Sequence, residues 1–78
     1  MKCVFVQMRC TPGETYRVAD ELYKREIASE LYSTSGDYDL LMKLYIEEDK
    51  DIGKFINDNV RDIPGISRSL TTLTFKAF

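Results

Sequence analysis

A chain of 78 residues has room for a single hydrophobic core, because a domain this small buries only about 60% of the surface its unfolded chain exposes and has none to spare for a second core. Its composition, 44% hydrophobic and 31% charged, excludes a disordered tail, and a net charge of -2 without a long run of like charge excludes a direct contact with nucleic acid. No apolar stretch is long enough to span a bilayer, and Gln7 and Arg9 interrupt the N-terminal apolar run too early for a secretion signal, so no membrane contact is expected and a cytoplasmic location is.

Val4, Val6 and Met8 alternate with Cys3, Phe5 and Gln7, a period of two that predicts a first strand over Lys2 to Arg9. Cys3 and Cys10 are seven positions apart, point to opposite faces of such a segment and are expected to be free thiols. In the "TPGE" that follows, Thr11 reads as a helix cap, Pro12 as the first helical residue and Glu14 as the return partner of a capping box. The helix then runs to about Arg25, with Val18, Ala19 and Leu22 as its apolar stripe and Tyr23 at the margin. Ala28 to Ser35 reads as a short, partly exposed second strand, Gly36-Asp37 as a hairpin turn and Tyr38 to Ile46 as the returning arm. That arm sets Leu40, Met42, Leu44 and Ile46 on one face and Leu41 and Tyr45 around Lys43 on the other. Ile52, Phe55, Ile56, Val60 and Ile63 recur at helical spacing after an acidic start at Asp49 and Asp51, and Pro64-Gly65 ends that helix. Gly53 inside it is expected to permit close packing. The last strand, Ile66 to Phe78, carries Ser69, Thr71, Leu73 and Phe75 on one face and Leu70, Thr72, Thr74 and Lys76 on the other.

The order β-α-β-β-α-β is the α+β plan of the ferredoxin-like fold, with two helices on one face of a four-stranded antiparallel sheet. Two helices cover one face, yet the first and third strands are apolar on both. The uncovered face therefore calls for a partner, and a second copy of the same sheet supplies one.

Histidine is absent and no Cys-x-x-Cys pair replaces it, so no metal, cofactor or catalytic residue is expected. Asp37 and Asp39 read in two ways: as a carboxylate pair for acid–base work or Mg²⁺, or as a turn former and a strand-end cap. Ser69 and Thr71 are by themselves ordinary strand residues, and the five tyrosines suit a core margin or an interface. In "TSGDYD" the amides around Gly36 and Asp37 can bind a carboxylate while the aspartates accept from an ammonium group, the complement of a zwitterion such as a free amino acid; a plain hairpin turn is the other reading.

The stretch "YSTSGDYDLLMKLYI", the helix ending in "IPGI" and the last strand "SRSLTTLTF" together closely resemble the C-terminal effector domain of the Lrp/AsnC family of feast/famine regulators, the RAM domain, over essentially Lys2 to Phe78. The resemblance implies sheet-to-sheet pairing into a dimeric αβ barrel, assembly of the homodimers into a ring, usually an octamer, and binding of small effectors, mostly amino acids, between dimers. It assigns Gly36, Asp37, Tyr38 and Asp39 to the effector pocket, with Ser69 and Thr71 contributed by a neighbouring subunit. "REIASELY" lacks the Pro-x-Val that often follows the first helix of the family, and Ser69 stands where threonine is more usual. A stand-alone member without the family's N-terminal helix-turn-helix is expected. Residues 1–78 are accordingly expected to form one ligand-binding domain that does not bind DNA itself and acts on transcription through protein contacts, including contacts with complete family regulators. Two other readings belong to different classes: a dimeric αβ-barrel enzyme of the monooxygenase or isomerase type, and a purely structural oligomerisation module.

Overall fold

The computed structural model describes all of Met1–Phe78. Its elements follow in the order β1 (Lys2–Cys10), α1 (Thr15–Lys24), β2 (Glu30–Ser33), β3 (Leu40–Ile46), α2 (Ile52–Asn59) and β4 (Ile66–Leu73). The strands form one sheet in the order β2-β3-β1-β4, antiparallel throughout, so the long apolar β1 lies in the middle. This is the ferredoxin-like arrangement.

One face of the sheet is closed by both helices. Val4, Val6 and Met8 of β1 stand opposite Leu44, Met42 and Leu40 of β3, and residues directly opposite in an antiparallel pair share a face. These six, with Ile46, pack against Val18 and Leu22 of α1 and Ile56, Val60 and Ile63 in and beyond α2. No polar or charged residue is buried among them. The helices are tied to each other at one end by Arg25, whose Nη1 donates to the Asn59 carbonyl at 2.9 Å and pairs with Asp62 at 2.7 Å.

The local chemistry departs from the sequence reading in four places. Thr11–Glu14 is a closed turn, with the Glu14 amide donating to the Thr11 carbonyl at 2.9 Å, so α1 begins later and without a side-chain cap. Pro followed by glycine at φ 85° is turn chemistry, and it overrides the capping-box spacing. The hairpin connection is the six-residue loop Thr34–Asp39 instead of a two-residue turn, since pairing ends at Ser33 and Leu40. β4 ends at Leu73, opposite Val4, short of the end of β1; beyond it Thr74 Oγ1 donates to the Cys3 carbonyl at 2.7 Å, and Phe75 and Phe78 are exposed. Gly53 has no close neighbour outside its own helix turn, so it packs against nothing. The start of α2 is as expected: Asp51 caps it, its carboxylate accepting from the Lys54 amide at 3.1 Å. Cys3 is half-buried, Cys10 is buried and both are free. No helix is long and apolar enough to cross a membrane.

Candidate functional site

The chemistry gathers where β1 leaves the sheet. The Asp39 amide donates to the Met8 carbonyl at 2.9 Å, and its carboxylate accepts from the Cys10 amide at 2.8 Å. Asp39 thereby serves β1 as a strand-end cap, and its carboxylate already has a backbone partner. Burial pushes the Cys10 thiol above its ordinary pKa, and the Asp39 charge adds to this, partly offset by a hydrogen bond with Thr15 and by Arg17. The thiol is held protonated.

Asp39 and Thr34 close the loop between them. The Thr34 amide donates to the Asp39 carbonyl at 2.9 Å, and Thr34 Oγ1 donates to the Tyr38 carbonyl at 2.9 Å. Between these anchors Gly36 turns the chain at φ 94°, and the amides of Gly36 and Asp37 donate no hydrogen bond within the chain. The Asp37 carboxylate is exposed and has no hydrogen bond or ion pair. Of the two aspartates read as a pair, one is engaged and one is free.

A cleft of about 460 Å³ opens beside this loop, lined by Gly36, Asp37 and Asp39 together with Arg9, Thr15 and Ser67. Its volume suits a small metabolite. A second hollow of about 400 Å³ shares Thr15 and Asp39 with it and continues past Thr34 toward Tyr16. The cleft of about 470 Å³ at the other end of β1 is walled by Val4, Ile52, Leu73 and Phe75, and its charges include the N-terminal ammonium paired with Glu48 at 3.4 Å. None of the residues that the sequence assigned to the site lines that end.

Tyr38 is half-buried, with the Arg68 guanidinium 5.2 Å from its ring centre. Ser69 stands opposite Met8 and Thr71 opposite Val6, on the helix-covered side of the edge strand β4. Neither lines the cleft of its own chain.

Arg9, Thr15 and Ser67 are among the lining residues that the sequence reading did not assign to the site. Arg9 had a signal, as the only charged residue between Val4 and Cys10. Thr15 is brought in by the turn that delays α1. Ser67 is exposed by a bulge: the register passes from Arg9↔Arg68 to Cys10↔Ile66, leaving Ser67 unpaired, and its hydroxyl donates to the Arg9 carbonyl at 3.0 Å. No sequence pattern marks that bulge.

The family model for the Lrp/AsnC ligand binding domain matches residues 3–78. The chain belongs to the Lrp/AsnC ligand-binding-domain family. It is 31% identical over 72 residues to the HTH-type transcriptional regulator FL11 of Pyrococcus abyssi (strain GE5 / Orsay), an alignment covering 92% of this chain and 47% of that protein. The chain thus spans about half the length of the curated relatives it matches. Those relatives are named HTH-type transcriptional regulators. The solved structure of FFRP-DM1 superposes with a TM-score of 0.88 at 28% identity, covering 96% of this chain and 100% of that one. TTHA0845 from Thermus thermophilus shares the fold at a TM-score of 0.90 and 22% identity, covering 100% of this chain and 98% of that one.

The two stretches that mark this Lrp/AsnC domain in sequence, Gly-Asp-Tyr-Asp and Pro-Gly, flank the same end of β1. Asp39 takes the Cys10 amide from one side, and the Gly65 carbonyl takes the Thr11 amide at 2.8 Å from the other. Gly65 has φ 103°, and an added Cβ would meet Arg17 and lie 3.2 Å from Val18 Cγ2. A side chain there would be strained and would press α1 away from the sheet. The first motif lines the cleft, and the second anchors Thr11, which lines it too.

Proposed function

We propose that this Lrp/AsnC domain binds a small amino-acid effector at the Gly36–Asp39 loop and transmits its presence through protein contacts in transcriptional regulation. The observation that carries the reading is the pairing, in one loop beside a metabolite-sized cleft, of the unpartnered Gly36 and Asp37 amides with the unpartnered Asp37 carboxylate. Amides accept the effector's carboxylate, and Asp37 takes its ammonium group. The open sheet face, where Phe5, Leu41 and Leu70 stand clear of the helices, supports pairing of two copies into a dimeric αβ barrel. Dimers then assemble into an octamer-like ring, and Ser69 and Thr71 reach the effector from a neighbouring subunit. The 78 residues act as one domain without DNA binding of their own, and complete family regulators are the partners through which transcription is reached.

Calorimetry with the twenty common amino acids tests this. A ligand bound through Asp37 should lose about 2–5 kcal/mol of affinity in Asp37→Asn, because the ammonium group is left unpaired in a partly dry site. If a ligand is found and Asp37→Asn binds it as tightly as the parent, the site lies elsewhere, and a barrel-interior enzyme becomes the better reading.

A further inference from the structure

A pair of arginines beside the same loop lacks any acidic partner. Arg9 of β1 and Arg68 of β4 are direct cross-strand neighbours. Like charges directly opposite in a sheet repel each other and destabilise the pairing. Neither arginine takes part in an ion pair, although Arg17, Lys24, Arg25, Lys43 and Lys54 all do. Both instead touch the loop: Arg9 Nη1 donates to the Asp37 carbonyl at 3.3 Å, and the Arg68 guanidinium lies over the Tyr38 ring. These contacts hold the two planar forks in place and leave most of their N–H donors free.

A second copy packed on the open face does not supply the missing charge from its strands. The only carboxylate that its strands place there is Glu30, which is already bound to Lys43 at 3.3 Å and to the Tyr32 hydroxyl. The free charges beside the loop are therefore Arg9 and the Asp37 carboxylate, which line the cleft, and Arg68, which lies next to Arg9 over the Tyr38 ring, since Asp39 is satisfied by the Cys10 amide. That set is the complement of a molecule with two carboxylates and one ammonium group.

We infer that the effector is an acidic amino acid, its ammonium group on Asp37, its α-carboxylate on the loop amides with Arg9, and its side-chain carboxylate on Arg68. This rests on the amino-acid reading above and narrows it to one chemical class. Neutral amino acids of the same size leave one guanidinium without a partner. Longer basic ones add charge to a site that already repels it.

Calorimetry at low and at physiological salt, with L-aspartate, L-glutamate, L-asparagine, L-glutamine and succinate as probes, decides the matter. The acids should bind at least about tenfold more tightly than their amides, a difference of about 1.4 kcal/mol, and more weakly as salt rises. Arg68→Gln should abolish that preference while amide binding persists, and Arg9→Gln should weaken every amino acid. Equal affinity for acid and amide overturns the inference and leaves the amino-acid reading standing. Binding of succinate alone, lost in Arg68→Gln, retains the guanidinium site and sinks the amino-acid reading. If Arg68→Gln dissociates the oligomer and leaves the ligand preference unchanged, the arginine meets a carboxylate of a second copy, and the inference fails.

Discussion

The two faces of the sheet are built from the same strands and have opposite fates. On the helix side Val4, Val6, Met8, Leu40, Met42, Leu44 and Ile46 are each no more than 2% exposed. On the other side their sequence neighbours Phe5, Leu41 and Tyr45 remain partly in water, and Leu70 on β4 is 47% exposed. Side-chain chemistry alone does not separate the faces, because Leu41 is as apolar as Leu40. What separates them is the supply of helices. A β-α-β-β-α-β chain makes two, both land on one side, and the second side is left to a second molecule. The open face also carries a titratable network, Glu30 with Tyr32 and Lys43, whereas the ionisable group buried on the closed face is the Cys10 thiol, which burial keeps protonated.

The largest effect should come from the closed face. Met42→Ala removes a fully buried side chain at the middle of the core and should cost about 2–5 kcal/mol of folding stability, read by urea unfolding. A loss well under 1 kcal/mol would mean that the two faces are not as different as their burial indicates.

Substitutions on the open face should act on association and spare the fold. Phe5→Asp combined with Leu70→Asp should leave the far-ultraviolet circular dichroism unchanged but weaken self-association by about 2 kcal/mol or more, roughly a thirtyfold rise in the dissociation constant. Light scattering across a concentration series makes the measurement. A parent protein that is already a folded monomer at micromolar concentration would remove the open face's need for a partner and break the comparison.

The smallest effect should be on acid stability. The Tyr32 hydroxyl, and after it Lys43, hold the Glu30 carboxyl below its ordinary value of 4.5. A group lowered on folding contributes stability that is fully present above its unfolded pKa and is lost as pH falls through the folded one. Glu30→Gln should therefore flatten the stability profile below about pH 4.5 and leave it unchanged near neutrality. Solvent screening keeps this contribution small, since Glu30 is exposed. An acid limb of the same slope in parent and variant would place the sensitivity elsewhere, with Asp62 the next group to test, because Arg25 holds its carboxyl low as well.

Much of the site is legible in the sequence, and the remainder has a definite reason to stay hidden. Asp39 can be read there as a strand-end cap or as half of a carboxylate pair. Only the position of the Cys10 amide, supplied by a strand 29 residues away, separates it from Asp37. The arginine pair is invisible for a related reason: Arg9 and Arg68 are distant in sequence and become neighbours through the β1–β4 register. The bulge at Ser67 belongs to the same class, since a one-residue irregularity leaves no trace in a period-two pattern.

Alternation in β1 and β3, the helical spacing of Ile52 to Ile63 and the Pro-Gly stop determined the order and type of the elements by themselves, because hydrophobic periodicity is a local property carried by consecutive residues. The tertiary structure alone decided which apolar face is closed, which aspartate stays free and which charges meet beside the loop. Each of those depends on pairing between segments far apart in the chain, where register and the packing of helices, and not the preference of any one residue, select the neighbours.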